Sequence, residues 1–140
     1  MKKTVFIALL CVLFAGCKKE HAKDETLNIT GSWHLTDLLQ TDTRSVTIGQ
    51  ETIDVYIDFA TDNTFRLYQM VGAGNYRRYS GTWTLADNKL SGIYDDKTPW
   101  GSEYNIELNS ASTELTLTSA GEQYVYTKTE IPDEVLSSAR

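Results

Sequence analysis

From Ile29 onward apolar and polar residues alternate with a period of two, the spacing that gives a strand one dry face and one wet face. The segment beginning at Ile53 shows it best: Ile53, Val55, Ile57 and Phe59 share one face, and Asp54, Tyr56 and Asp58 share the other. The same reading predicts strands over 29–40, 53–60, 64–70, 76–85, 89–95, 103–108, 114–119 and 122–131, about eight in all. Asp62-Asn63 and Asp87-Asn88 supply residues that tolerate positive φ in tight hairpins, and Ser110-Ala111-Ser112 and Ala120-Gly121 make connections of similar length. No helical segment separates the strands, which excludes parallel βαβ topology. The expected fold is all-β: an up-and-down antiparallel barrel, with a two-sheet β-sandwich as the alternative. Residues 132–140 are expected to be a frayed tail or one short helical turn.

The start of the chain breaks this pattern. Lys2-Lys3, an apolar run from Val5 to Phe14 and the small pair Ala15-Gly16 before Cys17 form a secretory signal over 1–16, too short for a stable membrane span. The order Leu13-Phe14-Ala15-Gly16-Cys17 resembles the bacterial lipobox, in which the signal is cut before a cysteine that becomes lipid-modified. That resemblance implies lipidation of Cys17 and a lipid anchor in a bacterial cell envelope, with the outer membrane the expected place. Each acyl methylene buried there would contribute about 0.8 kcal/mol. Residues 17–28 are charged and poor in aromatic residues, as a flexible tether is, and His21 falls within it. The folded domain is expected over 29–131, with 132–140 as its C-terminal tail.

Composition narrows the partners. A chain of 140 residues, 41% hydrophobic, supports one core. The formal charge of -6 becomes -8 once Lys2 and Lys3 leave with the signal, and the only adjacent arginines are Arg77-Arg78, so nucleic acid is an unsuitable partner. Both cysteines, Cys11 and Cys17, precede the domain, which therefore has neither a disulfide nor a thiolate metal site.

In an up-and-down barrel successive connections alternate between the two ends. The long connections 41–52 and 96–102 and the glycine-rich 71–75 share one end, which is expected to be an open mouth. Inward positions near that mouth are Gln69, Arg77, Tyr79, Tyr94, Tyr104 and Tyr124, with Trp100 in the loop above them. At the opposite end Trp33 and Trp83 form a floor. Gly31 and Gly81 stand two residues before them on the same face, leaving room for an indole, and Lys128 lies within reach of an indole face.

Gly31-Ser32-Trp33, the hairpin Phe59-Ala60-Thr61-Asp62-Asn63-Thr64-Phe65, Gly81-Thr82-Trp83 and the closing Tyr124-Val125-Tyr126-Thr127-Lys128 together resemble the lipocalin-like lipoproteins of bacteria, over roughly Ile29 to Ile131. The resemblance implies a lipocalin-type barrel in which Trp33 and Lys128 take the places of the floor tryptophan and the basic side chain packed on it. The second lipocalin signature, Thr-Asp-Tyr near the sixth connection, is absent.

Catalytic constellations are not found. His34 alternates with Trp33 and Leu35 and is expected to face outward, and Asp95-Asp96 lacks the alternating oxygen ligands of a calcium loop. No enzyme activity, metal or cofactor is expected. Two functions fit. One is a lipid-tethered barrel that binds a small hydrophobic or amphipathic ligand at its mouth through Gln69, Arg77, Tyr79, Tyr94, Trp100, Tyr104 and Tyr124. The other is a filled barrel that contacts an envelope protein or a glycan through loops or exposed Tyr56, Tyr68 and Tyr76, as an inhibitor or accessory subunit. Removal of Trp33 is expected to be costly, and removal of a loop-borne Trp100 nearly neutral.

Overall fold

A computed structural model describes residues 27–40 and 53–140. The signal, Cys17, the tether as far as Thr26 and the first long connection lie outside the described residues; Leu27, at the end of the segment expected as tether, packs against the core. The element order is β1 (Gly31–Gln40), β2 (Ile53–Phe59), β3 (Thr64–Val71), β4 (Arg77–Ala86), β5 (Lys89–Tyr94), β6 (Tyr104–Leu108), β7 (Glu114–Ser119), β8 (Glu122–Lys128) and α1 (Asp133–Ser138). The strands pair in sequence order and β8 returns to β1, so the sheet closes into an eight-stranded antiparallel barrel and the sandwich alternative falls. Closure leaves the barrel without an open edge strand.

Turn chemistry sets the registers. Asp87 and Asn88 both have positive φ, 52° and 59°, as a two-residue hairpin turn requires, and Ala120-Gly121 repeats this at 50° and 82°. Asn63 carries a φ of 65° beside Asp62, whose carboxylate accepts the Thr64 amide at 3.0 Å. These hairpins align Ile57 with Leu67, Trp83 with Gly92, and Leu117 with Tyr124, so one set of faces points inward all round.

The core is built from Ile29, Trp33, Phe59, Phe65, Leu90, Ile106 and Leu115, all buried. The Trp33 indole nitrogen donates to the Ile29 carbonyl at 2.8 Å, and the Lys128 ammonium stands 5.2 Å from the centroid of the ring. Trp83 donates to the Thr64 carbonyl at 3.1 Å and meets Phe59 edge-on at 5.6 Å. The two glycines before these tryptophans have other tasks than making room for an indole. Gly31, at φ +116°, leaves space for the Lys128 stem, whose Cε would lie 3.2 Å from an added Cβ. Gly81 lets the β5 backbone close in, since an added Cβ would sit 2.8 Å from Tyr94 Cα.

Two features depart from simple alternation. A bulge at Thr36 shifts the β1–β8 register between Leu35 and Asp37. Unbulged alternation would aim Asp37 and Leu39 inward; with the extra residue Leu38 opposes inward-facing Tyr124 instead, and Leu39 is exposed. The second is the segment expected as a frayed tail or one short helical turn. It folds into α1, and Val135 is buried on the outer wall in a small cluster with Tyr56 and Tyr68, flanked by Ile131 and Ala139. Tyr56 and Tyr68 are therefore covered and Tyr76 is partly buried, which corrects the expectation that these tyrosines form an exposed patch.

That outer wall also holds the outward-facing histidine. His34 stacks on Tyr56 at 4.3 Å and 12°, and its Nε2 lies 2.7 Å from Asp54 Oδ1. The Tyr76 hydroxyl donates to the other Asp54 oxygen. Burial, with the nearby Asp54 charge, pushes the Tyr56 phenol above its ordinary range.

Candidate functional site

The mouth is made by strand ends that outrun their partners. β4 extends beyond β5, so Arg77 and Tyr79 face inward opposite Gln69 and Leu67 of β3 only. Gln69, Arg77 and Tyr79, with Asn75 from the β3–β4 hairpin, line a recess of about 430 Å³. On the neighbouring strands Tyr94, Tyr104 and Tyr124 point inward at the same end and line a second, more apolar cavity of about 150 Å³. Tyr79, in the wall of the first, stands 6.0 Å from Tyr94, in the wall of the second. The seven residues predicted for the mouth thus divide between two adjoining spaces.

Trp100 is in the β5–β6 loop, as expected, but its ring does not stand above the mouth. After Tyr94 the chain turns through Asp95-Asp96-Lys97 and runs back along β5: the Tyr94 amide donates to the Thr98 carbonyl at 2.8 Å, and the Trp100 amide to the Gly92 carbonyl at 2.9 Å. Gly92 faces inward with Leu90 and Tyr94, and the indole lies over it; an added Cβ would fall 2.5 and 2.7 Å from Trp100 Cζ2 and Cδ2. The ring sits inside the barrel, edge-on to Phe65 at 5.0 Å and to Tyr104 at 6.3 Å. Its Nε1 is buried and, among the described residues, lacks a hydrogen-bond partner, which leaves a strong donor unused. Residues 101–103 span the gap before β6, which pairs with β5 only at Lys89–Asn105 and Leu90–Tyr104.

Aromatic rings then run without a break across the mouth. Tyr79 meets Tyr94, Tyr94 meets Phe65 at 5.7 Å, Phe65 meets Trp100, Trp100 meets Tyr104, and Tyr104 meets Tyr124 at 6.0 Å. All are edge-to-face, the arrangement that ring quadrupoles favour. At the far end the Tyr124 hydroxyl donates to Glu122 Oε2 at 2.5 Å, which, with burial, pushes the phenol up to about 12. Burial raises Tyr94 and Tyr104 as well. These phenols are neutral at ordinary pH and present hydrogen-bonding tips on apolar walls.

The acids at the loop serve its turn. Asp95 Oδ2 accepts the Ser80 hydroxyl at 2.5 Å, and Asp96 accepts the Thr98 amide at 2.8 Å, which holds the Asp96 carboxyl below its usual range.

Comparison with known proteins then bears on the whole barrel. A family model described as a lipocalin-like domain matches residues 29–117. The chain belongs to the lipocalin-like domain family. The match runs from just before β1 into β7, and the remaining part of β7 and β8 complete the lipocalin-like barrel by returning to β1.

Two crystal structures share the fold. A lipocalin-like protein from Bacteroides uniformis has a TM-score of 0.58 at 18% identity, over 72% of this chain and 98% of its own. An uncharacterized protein from Bacteroides eggerthii has a TM-score of 0.55 at 18% identity, over 73% of this chain and 100% of its own. No curated protein matches the chain.

Within this lipocalin-like mouth, sequence reasoning missed three residues. Phe65, a buried core residue, also bridges Tyr94 to Trp100. Glu122 faces inward opposite Ser119 and binds Tyr124; its place as the first residue of β8 concealed this. Gly92 was the least visible. The available signal was its inward parity with Leu90 and Tyr94, since a glycine at a core position implies that something large lies over it.

Proposed function

We propose that this lipocalin-like barrel binds a small amphipathic molecule in its mouth and is held at a bacterial envelope membrane by lipid on Cys17. The row of rings from Tyr94 through Phe65, Trp100 and Tyr104 to Tyr124, which lines the cavity of about 150 Å³, carries this reading. Pockets that combine apolar walls with a few aimed polar groups favour ligands with both characters. The apolar rings would hold the body of the ligand, and the phenols would orient its polar atoms. Binding, not catalysis, is the role proposed.

The alternative, a filled barrel acting through an exposed tyrosine patch, has less support because α1 covers Tyr56 and Tyr68. Native mass spectrometry of residues 18–140, purified gently from the protein's own host, separates the two readings. A defined extra mass, lost in Tyr94→Ala and Trp100→Ala variants that remain folded, is the expected result. A bare mass with a co-purifying partner protein would overturn it in favour of the interaction module.

A further inference from the structure

The charges of the mouth are unevenly satisfied. Arg77 is on the inward face of β4, directly opposite Gln69, whereas its neighbour Arg78 opposes outward-facing Tyr68. Among the described residues no carboxylate pairs with Arg77. Among the described residues the inward-facing acid of the mouth, Glu122, stands on β8 and is already engaged by the Tyr124 hydroxyl. A protein of net charge -6 thus carries at its recess an exposed guanidinium that no acid among the described residues pairs with. A planar fork of N–H donors suits a carboxylate, and the Gln69, Asn75 and Tyr79 side chains that share the recess supply further hydrogen-bonding groups.

The position of Arg77 is also fixed from outside. The Arg140 amide donates to the Tyr76 carbonyl and the Arg78 amide to the Arg140 carbonyl, both at 3.1 Å, in the pattern of a parallel ladder along the β4 edge that β5 leaves free. The Tyr76 hydroxyl is held by Asp54 and its ring by Tyr56. The residues on either side of Arg77 are therefore clamped to the outer wall, while Arg77 itself extends into the mouth. Four residues further along β4, Gly81 lies opposite Phe65 and Tyr94, where the aromatic cavity begins. Four residues of strand span about 13 Å. A cavity of about 150 Å³ at the end of that path admits only a slim apolar body.

We propose that the mouth selects a carboxylate-headed amphiphile, with Arg77 holding the head and the cavity between Phe65, Tyr94 and Trp100 taking the apolar end. The inference rests on the mouth-binding reading and adds the charge and polarity of the ligand to it. Arg77 is its specificity-determining residue. An ammonium head is repelled there, and an alcohol of the same length loses the charge-assisted pair.

Isothermal titration of residues 18–140, which hold the closed barrel, its core and α1, with decanoate, decanol and decylamine at neutral pH tests this. Decanoate is expected to bind about tenfold or more tighter than decanol, the equivalent of one charge-assisted hydrogen-bonded pair, and decylamine weakest. In Arg77→Gln decanoate affinity falls more than decanol affinity, so the gap between them closes; Arg77→Lys retains part of the gap. Equal wild-type affinities for acid and alcohol, a gap that survives in Arg77→Gln, or preference for the amine would each overturn the role of Arg77 and leave mouth binding standing. Failure of all three probes to bind would overturn the mouth reading with it.

Discussion

The indole of Trp100 occupies the space that a side chain on Gly92 would fill, and the Trp100 amide donates to the Gly92 carbonyl at 2.9 Å. A strand position without a side chain thus seats a ring from a returning loop, and that ring lines the cavity of about 150 Å³. The pairing converts what would be a solvent-exposed loop tryptophan into part of the barrel interior, packed on Phe65 and Tyr104.

Gly92→Ala should displace that ring. An added methyl group meets Trp100 side-chain atoms at contact distances no real structure tolerates, so the loop must move, at a cost of about 1–3 kcal/mol. Urea unfolding is expected to show the loss, and tryptophan emission to shift to the red. An unchanged emission maximum would mean that the indole does not rest on Gly92.

Trp33→Ala should destabilise the barrel by about 3–5 kcal/mol, because the ring is fully buried and loses its hydrogen bond to Ile29 as well. Trp100→Ala should cost about 2 kcal/mol or more, and not the near-zero change expected of a loop residue. Chemical denaturation of both variants ranks them. A neutral Trp100→Ala would restore the placement of that ring outside the barrel.

Alkaline pH should weaken the fold through Tyr124. Its phenol is raised from 10.0 to about 12 in the folded protein, chiefly by donating to Glu122. The folded state therefore keeps a proton that the unfolded chain has lost over that interval. Stability is expected to be complete below about pH 10 and to fall as the pH rises toward about 12. Urea midpoints measured across this range should decline less steeply in Glu122→Gln, which lacks the charge that holds the proton.

Val135→Asp should release α1. A carboxylate cannot be accommodated between Tyr56 and Tyr68 without desolvation, and the loss is put at about 2 kcal/mol. Because Arg140 follows α1, amide exchange at Arg78, whose acceptor is the Arg140 carbonyl, should accelerate more than exchange in β7. Uniform acceleration would mean that α1 and the barrel unfold together.

If Cys17 carries the proposed lipid anchor, Cys17→Ser should leave the protein in the soluble fraction of its host cells, with no acyl mass on the chain. The expectation rests on Leu13-Phe14-Ala15-Gly16-Cys17. Membrane retention of the serine variant would defeat the lipid anchor.

Much of this architecture was legible in the chain. Ile53, Val55, Ile57 and Phe59 alternate with polar residues, and Asp87-Asn88 and Ala120-Gly121 favour positive φ, so strand boundaries and hairpin registers follow from local sterics and burial. The inward assignment of Arg77, Tyr79, Tyr94, Tyr104 and Tyr124 followed from the same parity. Parity failed at Thr36, where a bulge whose hydroxyl bonds the Val125 carbonyl at 3.2 Å re-aims the rest of β1.

The sequence by itself determined the eight strands and, except in β1 beyond Thr36, the faces their side chains take, because those depend on alternation and on turn residues a few positions apart; the pairing of β8 with β1 that makes a barrel and not a sandwich did not follow from it. Only the tertiary structure decided what covers each face. The covering of Tyr56 and Tyr68 by Val135, the seating of Trp100 on Gly92 and the engagement of Glu122 by Tyr124 all depend on packing in three dimensions. A local pattern records that a face is apolar; which distant segment buries it is set by the free energy of closing the whole barrel.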